Sequence, residues 1–230
     1  MGLIIDAQFF IILKESYKGI RKNVRSPTTN NRERTMASAL AKADEYYTAE
    51  DYLRNEREAD ERHEYWQGEV FNMAGASRIH NILSLNVGAE LRNHLRGKPC
   101  RPYVADLRVK LHVRDQYVYP DVVVVCGQAA FVEEDLASDA TLIIEVLSPS
   151  TESRDRGAKF FGYQNLPSLQ EYVLVSQEAI LVEVFRKEQS GHWHYEVLQS
   201  LEAALKLESV AYSGTLGEWY EDTELLEEAA

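Results

Sequence analysis

Apolar residues recur along the chain with two different periods, and the changes between them mark out its elements. From Ser77 to about Leu95 they fall at Ile79, Ile82, Leu83, Val87, Leu91 and Leu95, the spacing of a helix with one buried face. Upstream, Thr48 stands before Glu50 and Asp51, a cap followed by acids near the positive end of a helix, and predicts a short helix through about Arg57. Residues 64–73 carry β-formers on both sides of Gln67-Gly68 and predict a hairpin. Residues 101–104 and 107–113 read as strands, the second with Arg108, Lys110 and His112 alternating with Leu107, Val109, Leu111 and Val113. Residues 122–126 and 142–147 are almost uninterrupted apolar runs rich in β-branched side chains, suited to central strands covered on both faces. A loop through residues 131–140 is expected to link them. Ser150-Thr151-Glu152 opens a second helix that carries Lys159, Phe160, Phe161 and Tyr163 before Pro167. A strand at 171–175 follows, then a hairpin of 180–186 with 193–198 around Ser190-Gly191, and an acidic tail from Glu218 that is helical or frayed. This order indicates one mixed α/β domain with a central sheet.

At 230 residues the chain has room for one well-buried domain and too little for two. Its net charge of −12 is unevenly spread. The first 35 residues carry Lys14, Lys18, Arg21, Lys22, Arg25, Arg32 and Arg34 against only Asp6, Glu15 and Glu33. Within them, Ser26-Pro27-Thr28-Thr29-Asn30-Asn31 offers little to bury. Residues 1–35 therefore read as a flexible basic extension, and 36–230 as a single folded domain starting near Met36. That domain is strongly acidic, which works against nucleic-acid binding, because non-specific affinity comes from neutralising phosphates. No run of about 20 apolar residues is present to span a membrane. The apolar stretch at 3–13 lacks the flanks of a secretory signal, so the chain reads as cytoplasmic with no membrane partner. Cys100 and Cys126 read as buried thiols in a reducing compartment.

Two acids stand out by position. Asp121 opens one buried strand after Tyr119-Pro120, and Glu145 lies inside another among apolar neighbours. A desolvated carboxylate needs a cation, a donor or a raised pKa. Taken singly, each is satisfied as well by backbone donors or by Arg154 or Arg156. Taken together, two carboxylates converging at strand ends suit a hard divalent cation with oxygen ligands. Lys159, on the following helix, could point back over the strand ends toward a phosphate or a water; its bland alternative is a solvated surface lysine. Arg154-Asp155-Arg156 forms the densest basic spot near this centre.

Tyr119-Pro120-Asp121-Val122-Val123-Val124, Ile144-Glu145-Val146-Leu147-Ser148-Pro149-Ser150-Thr151 and Arg154-Asp155-Arg156-Gly157-Ala158-Lys159-Phe160 together resemble the Uma-two-type restriction endonucleases of the PD-(D/E)XK nuclease superfamily. The resemblance continues through His63-Glu64-Tyr65, Gly68-Glu69-Val70, Met73-Ala74-Gly75-Ala76-Ser77, His80-Asn81 and Leu169-Gln170-Glu171-Tyr172-Val173-Leu174-Val175, roughly residues 47–212. It implies a restriction-endonuclease-like α/β fold, a mixed central sheet flanked by helices with an added hairpin. It also implies phosphodiester hydrolysis assisted by Mg²⁺ or Mn²⁺. Asp121 matches the aspartate of the PD motif and Glu145 the acid of the second motif, with the Val146 carbonyl as a third metal ligand. The usual lysine would fall at position 147, where this chain has Leu147; Lys159 matches a recurrent basic position that reaches the same space. Glu69 matches a recurrent acid that completes the metal site or orients water, or is an exposed hairpin carboxylate. His80 contacts a phosphate, orients a carboxylate or caps its helix. The remaining histidines lack such support, and Trp66, Trp193 and Trp219 read as packing anchors. The implied partner is nucleic acid, DNA before RNA, and a homodimer suits cutting of two strands. Leu147 and the acidic surface leave open an alternative: a nuclease-fold module that binds metal or nucleic acid without cutting.

Overall fold

The computed structural model describes residues 47–73, 75–111, 115–127 and 130–229, so the basic extension expected at 1–35 lies outside the described residues. Helix α1 (Ala49–Glu56) is capped by the Thr48 hydroxyl, which accepts from the Asp51 N–H. The hairpin β1 (His63–Trp66) and β2 (Glu69–Asn72) follows. It turns on Gln67 at φ 52° and Gly68 at φ 97°, the left-handed pair that matches the twist of a two-residue hairpin. Helix α2 (Arg78–His94) then leads to β3 (Cys100–Val104), β4 (Arg108–Leu111), β5 (Gln116–Val118) and β6 (Val122–Cys126). Next come β7 (Phe131–Glu133), β8 (Leu136–Ala137) and β9 (Leu142–Leu147). The second predicted helix is three pieces: α3 (Glu152–Arg154), a π-helical turn (Asp155–Lys159) and α4 (Phe160–Tyr163). The chain ends with β10 (Glu171–Ser176), β11 (Val182–Lys187), β12 (Trp193–Leu198), β13 (Ala204–Leu207), β14 (Tyr212–Thr215), α5 (Leu216–Trp219) and α6 (Glu224–Ala229).

The apolar runs β6 and β9 lie side by side, antiparallel, at the centre of a six-stranded mixed sheet ordered β12-β11-β10-β9-β6-β3. Strands β9 and β10 are parallel, in register Glu145 with Leu174; such a pair needs a crossover, and the interrupted helix supplies it. One sheet face packs Val122, Val124, Ile144 and Val146 against Leu83, Val87 and Leu91 of α2 and against Trp219 and Tyr220. The other packs Val123, Val125, Ile143 and Leu147 against Val109, Leu111, Val118, Phe160 and Tyr163. This two-sided burial is why β6 and β9 show no polar alternation.

The structure departs from the sequence expectation in three places. The predicted added hairpin is the end of a second six-stranded sheet, ordered β2-β1-β5-β4-β8-β7. Its β5 is a three-residue, wholly buried strand, too short for a periodic signal. Residues 131–140 are likewise more than a loop, since they hold the β7–β8 pair. Finally, Cys100 and Cys126 are joined in a disulfide rather than free. Antiparallel pairing of β3 with β6 sets them directly opposite, a proximity that their separation along the chain does not reveal. Among the described residues no helix is long and apolar enough to cross a membrane.

Candidate active site

The ladder between β6 and β9 ends at the pair Val122–Ile144, one residue short of Asp121 and Glu145. There the side chains take over from the backbone. The Val146 N–H donates to Asp121 Oδ2 at 2.7 Å, and the Asp121 N–H donates to Glu145 Oε2 at 3.2 Å. The two acids are thus bound into one unit where the strands part. Asp121 Oδ1 also meets His80 Nε2 at 2.9 Å. Ser77 caps α2 by accepting from the His80 N–H, so the imidazole sits in the first turn and leans over the strand end.

Alternation along β9 turns Glu145 to the same face as Ile143 and Leu147, toward the crossover helix. Glu145 Oε1 accepts from Tyr163 Oη at 2.7 Å and from Lys159 Nζ at 3.1 Å. Lys159 Nζ also lies 2.9 Å from Glu64 Oε1 and 3.2 Å from Asp155 Oδ1. Arg154 Nη1 shares Glu64 at 3.1 Å, and its guanidinium stacks 4.1 Å from the Phe71 ring centre. Burial pushes the Glu145 carboxyl up to about 8, against the pull of Lys159. Burial raises Asp155 in the same way. Burial opposes the charge on Lys159 too, yet Glu145, Glu64 and Asp155 outweigh it and hold the ammonium well above its ordinary value. One ammonium among three carboxylates leaves negative charge over, and such a site takes up a proton or a cation.

These groups form the floor of a cleft of about 1090 Å³, lined among others by Glu64, His80, Asp121, Glu145, Arg154 and Lys159. Of the five side chains singled out by sequence, the fold therefore brings together four, Asp121, Glu145, Lys159 and His80, with the Val146 backbone beside Asp121. It leaves Glu69 out. Glu69 is exposed beside the hairpin turn, opposite Trp66, and is not among the cleft-lining residues. Glu64, on the same hairpin face but farther from the turn, supplies the buried acid instead. Its signal in the sequence was its place two residues before Trp66, which puts it on the face that Trp66 buries. Arg154 and Arg156 neutralise neither Asp121 nor Glu145, since Arg156 pairs with Glu152 and Glu183. Leu147 packs in the core on the Glu145 side, and the ammonium that lies beside Glu145 is that of Lys159.

Among the described residues no three His, Cys, Asp or Glu side chains form a metal cage. The donors on hand are a carboxylate pair, in which Glu145 Oε1 already accepts from Tyr163 and Lys159 while Glu145 Oε2 and both Asp121 oxygens each meet one partner and keep a lone pair over. That oxygen-only set fits a hard divalent cation.

The mixed central sheet flanked by helices is the architecture of a solved nuclease-type fold. A crystal structure of a putative nuclease belonging to DUF820 from Anabaena variabilis shares the fold, with TM-score 0.63 over 76% of this chain and 97% of that one at 17% identity. The chain belongs to the Uma2 family, described as putative restriction endonuclease, whose model matches residues 49–215. Two uncharacterized proteins of Synechocystis sp. are each 35% identical to it, one over 66% of this chain and 82% of its own length, the other over 64% and 84%.

Proposed function

We propose that this protein is a divalent-cation-dependent endonuclease that hydrolyses phosphodiester bonds in DNA. The observation that carries this reading is the Asp121–Glu145 unit at the floor of the cleft, with Lys159 Nζ 3.1 Å from Glu145 Oε1. Asp121, Glu145 and the Val146 carbonyl would hold Mg²⁺ or Mn²⁺. When bound, the cation polarises the phosphate and lowers the pKa of a water. Lys159, kept charged by its carboxylate neighbours, stabilises the negative charge that develops on the phosphoryl oxygens. Tyr163 and the Asp121 N–H fix the orientation of Glu145, and His80 fixes that of Asp121. One such site nicks a strand; a homodimer would supply the second site needed to cut both.

The test is nicking of supercoiled plasmid in Mn²⁺ by the parent, Asp121→Asn and Lys159→Ala. The reading expects both variants to lose activity by at least about a hundredfold. Parent and variants nicking alike would remove the assignment. A second reading follows from the three carboxylates around Lys159, which occupy the ammonium. In it the fold binds metal or nucleic acid without cutting, and calorimetry then shows Mn²⁺ binding that depends on Asp121 and Glu145 while no nicking occurs.

A further inference from the structure

Most Lys and Arg side chains of the described residues are matched to acids, Arg78 with Glu224 and Arg108 with Asp135 among them. Between those two positions stand Arg92, Arg96, Lys98 and Arg101, all exposed. Among the described residues none of the four makes an ion pair. Arg96 meets Asn93, Lys98 meets His94, and Arg101 donates to the carbonyls of Lys98 and Cys100. No Asp or Glu occurs between Glu90 and Asp106, and Glu90 is engaged with Tyr212. The other described cations without an ion pair, Lys110, Lys187 and Lys206, are scattered over β4, β11 and β13. In a chain of net charge −12, the unneutralised cations thus gather in one loop.

A helix C-terminus attracts cations, but the effect fades within the last turn. It covers Arg92 and His94, in the last turn of α2, and not Arg96, Lys98 or Arg101, which lie beyond it. Nor is the loop remote from the site. Asn81, Leu85, Ala89 and Arg92 are all exposed and recur at the three- and four-residue spacing of one helix face. Asn81 and Leu85 line the cleft, so this carboxylate-free stripe leads from the cleft to the loop. Strand β3 runs beside it, since a Cβ on Gly88 would stand 2.5 Å from Val104 Cγ2. Val104 ends β3 and, with Val70, Met73 and Leu85, forms the exposed apolar rim of the cleft; Arg101 stands near the strand's other end. Arg92 lies twelve residues past His80, about 18 Å along the helix at about 1.5 Å per residue. One DNA strand places a phosphate about every 3.4 Å, so the loop begins about five phosphates from the acids.

We infer that residues 92–101 form a second contact surface for DNA, on which Arg92, Arg96, Lys98 and Arg101 neutralise backbone phosphates flanking the one at Asp121 and Glu145. Phosphate neutralisation supplies most sequence-independent affinity. The cleft provides little of it, because its lining Lys159 and Arg154 are engaged by carboxylates. The loop grips the backbone and the cleft holds the reacting phosphate. This rests on the nuclease reading and adds where its substrate is held.

Binding is measured apart from cutting, so that the two readings fail separately. Fluorescence anisotropy in Ca²⁺ follows a short DNA duplex over a range of salt concentrations. The parent is compared with Arg96→Gln/Lys98→Gln/Arg101→Gln and with Lys110→Gln/Lys187→Gln/Lys206→Gln, which removes the same charge away from the loop. The loop variant is expected to bind at least about tenfold more weakly at low salt. It should also lose about two to three units of log–log salt slope, at about 0.9 per phosphate contact. The scattered variant should match the parent, and so should the charge-keeping Arg96→Lys/Arg101→Lys, since a phosphate accepts either cation. In Mn²⁺, nicking by the loop variant should show a raised KM and an unchanged kcat. A loop variant with the parent's affinity and slope overturns the inference, while nicking by it leaves the nuclease reading standing. Equal losses in the loop and scattered variants reduce the effect to overall charge and overturn it too. Duplex gripped through the loop but never cut supports the surface and removes the nuclease. A parent that binds no duplex overturns the surface.

Discussion

Glu145 is the polar exception in a strand whose other five residues are apolar and buried. Burial drives its carboxyl up to about 8, so the folded chain retains a proton that an unfolded chain, titrating near 4.5, releases. The sign follows from linkage: this group's contribution to stability is full below about 4.5 and is lost as pH rises through about 8. Asp155, raised by the same burial, acts in the same sense. Urea unfolding in the presence of a chelator is therefore expected to show falling stability from pH 5 to pH 9. Glu145→Gln should make that fall shallower, because an amide loses no proton. A slope unchanged by the substitution would mean that Glu145 is ionised throughout.

The crossover helix shows how an element tunes a site. The π turn carries Asp155 at one end and Lys159 at the other, and their side chains meet at 3.2 Å beside Glu145. Single π turns recur at functional sites. The same helix is pressed against the second sheet at Gly162, where a Cβ would lie 2.5 Å from Leu111 Cδ1 and 3.3 Å from Gln116 Oε1. Leu111 is fully buried, so its side chain can yield only by disturbing its packed neighbours. Gly162→Val is thus expected to cost about 1–3 kcal/mol in urea unfolding, and to weaken nicking by lifting Lys159 off Glu145. Unchanged stability would show that the helix packs more loosely than this contact requires. The helix itself was legible in the sequence, from Ser150-Thr151-Glu152 to Pro167. Its π turn was not, because one extra residue per turn leaves no mark on so short an apolar pattern.

At the scale of the molecule, two sheets sandwich the core that carries the acids, and the disulfide ties the edge strand β3 to β6. Cys126 closes β6 while Asp121 stands just before its start. Cys100→Ser/Cys126→Ser should therefore lower stability by about 3 kcal/mol, from the loop it frees in the unfolded chain. Nicking at temperatures where the variant stays folded should persist. Loss of nicking in a folded variant would show that the bond shapes the site through the length of β6.

By itself the sequence determined the main strands, the long capped helix, the two carboxylates and the family, because hydrophobic period, capping and a buried charge are all written in local order. Lys159 was legible as a candidate, since it follows Glu145 by one crossover. Only the tertiary structure decided which hairpin acid enters the cleft, Glu64 rather than Glu69, and whether the cysteines meet. It alone gathered Val70, Met73, Leu85 and Val104 around one opening. Each of these depends on strand register and on the packing of elements far apart in the chain. Such choices are settled by which faces meet, and the order of residues along any one element does not contain them.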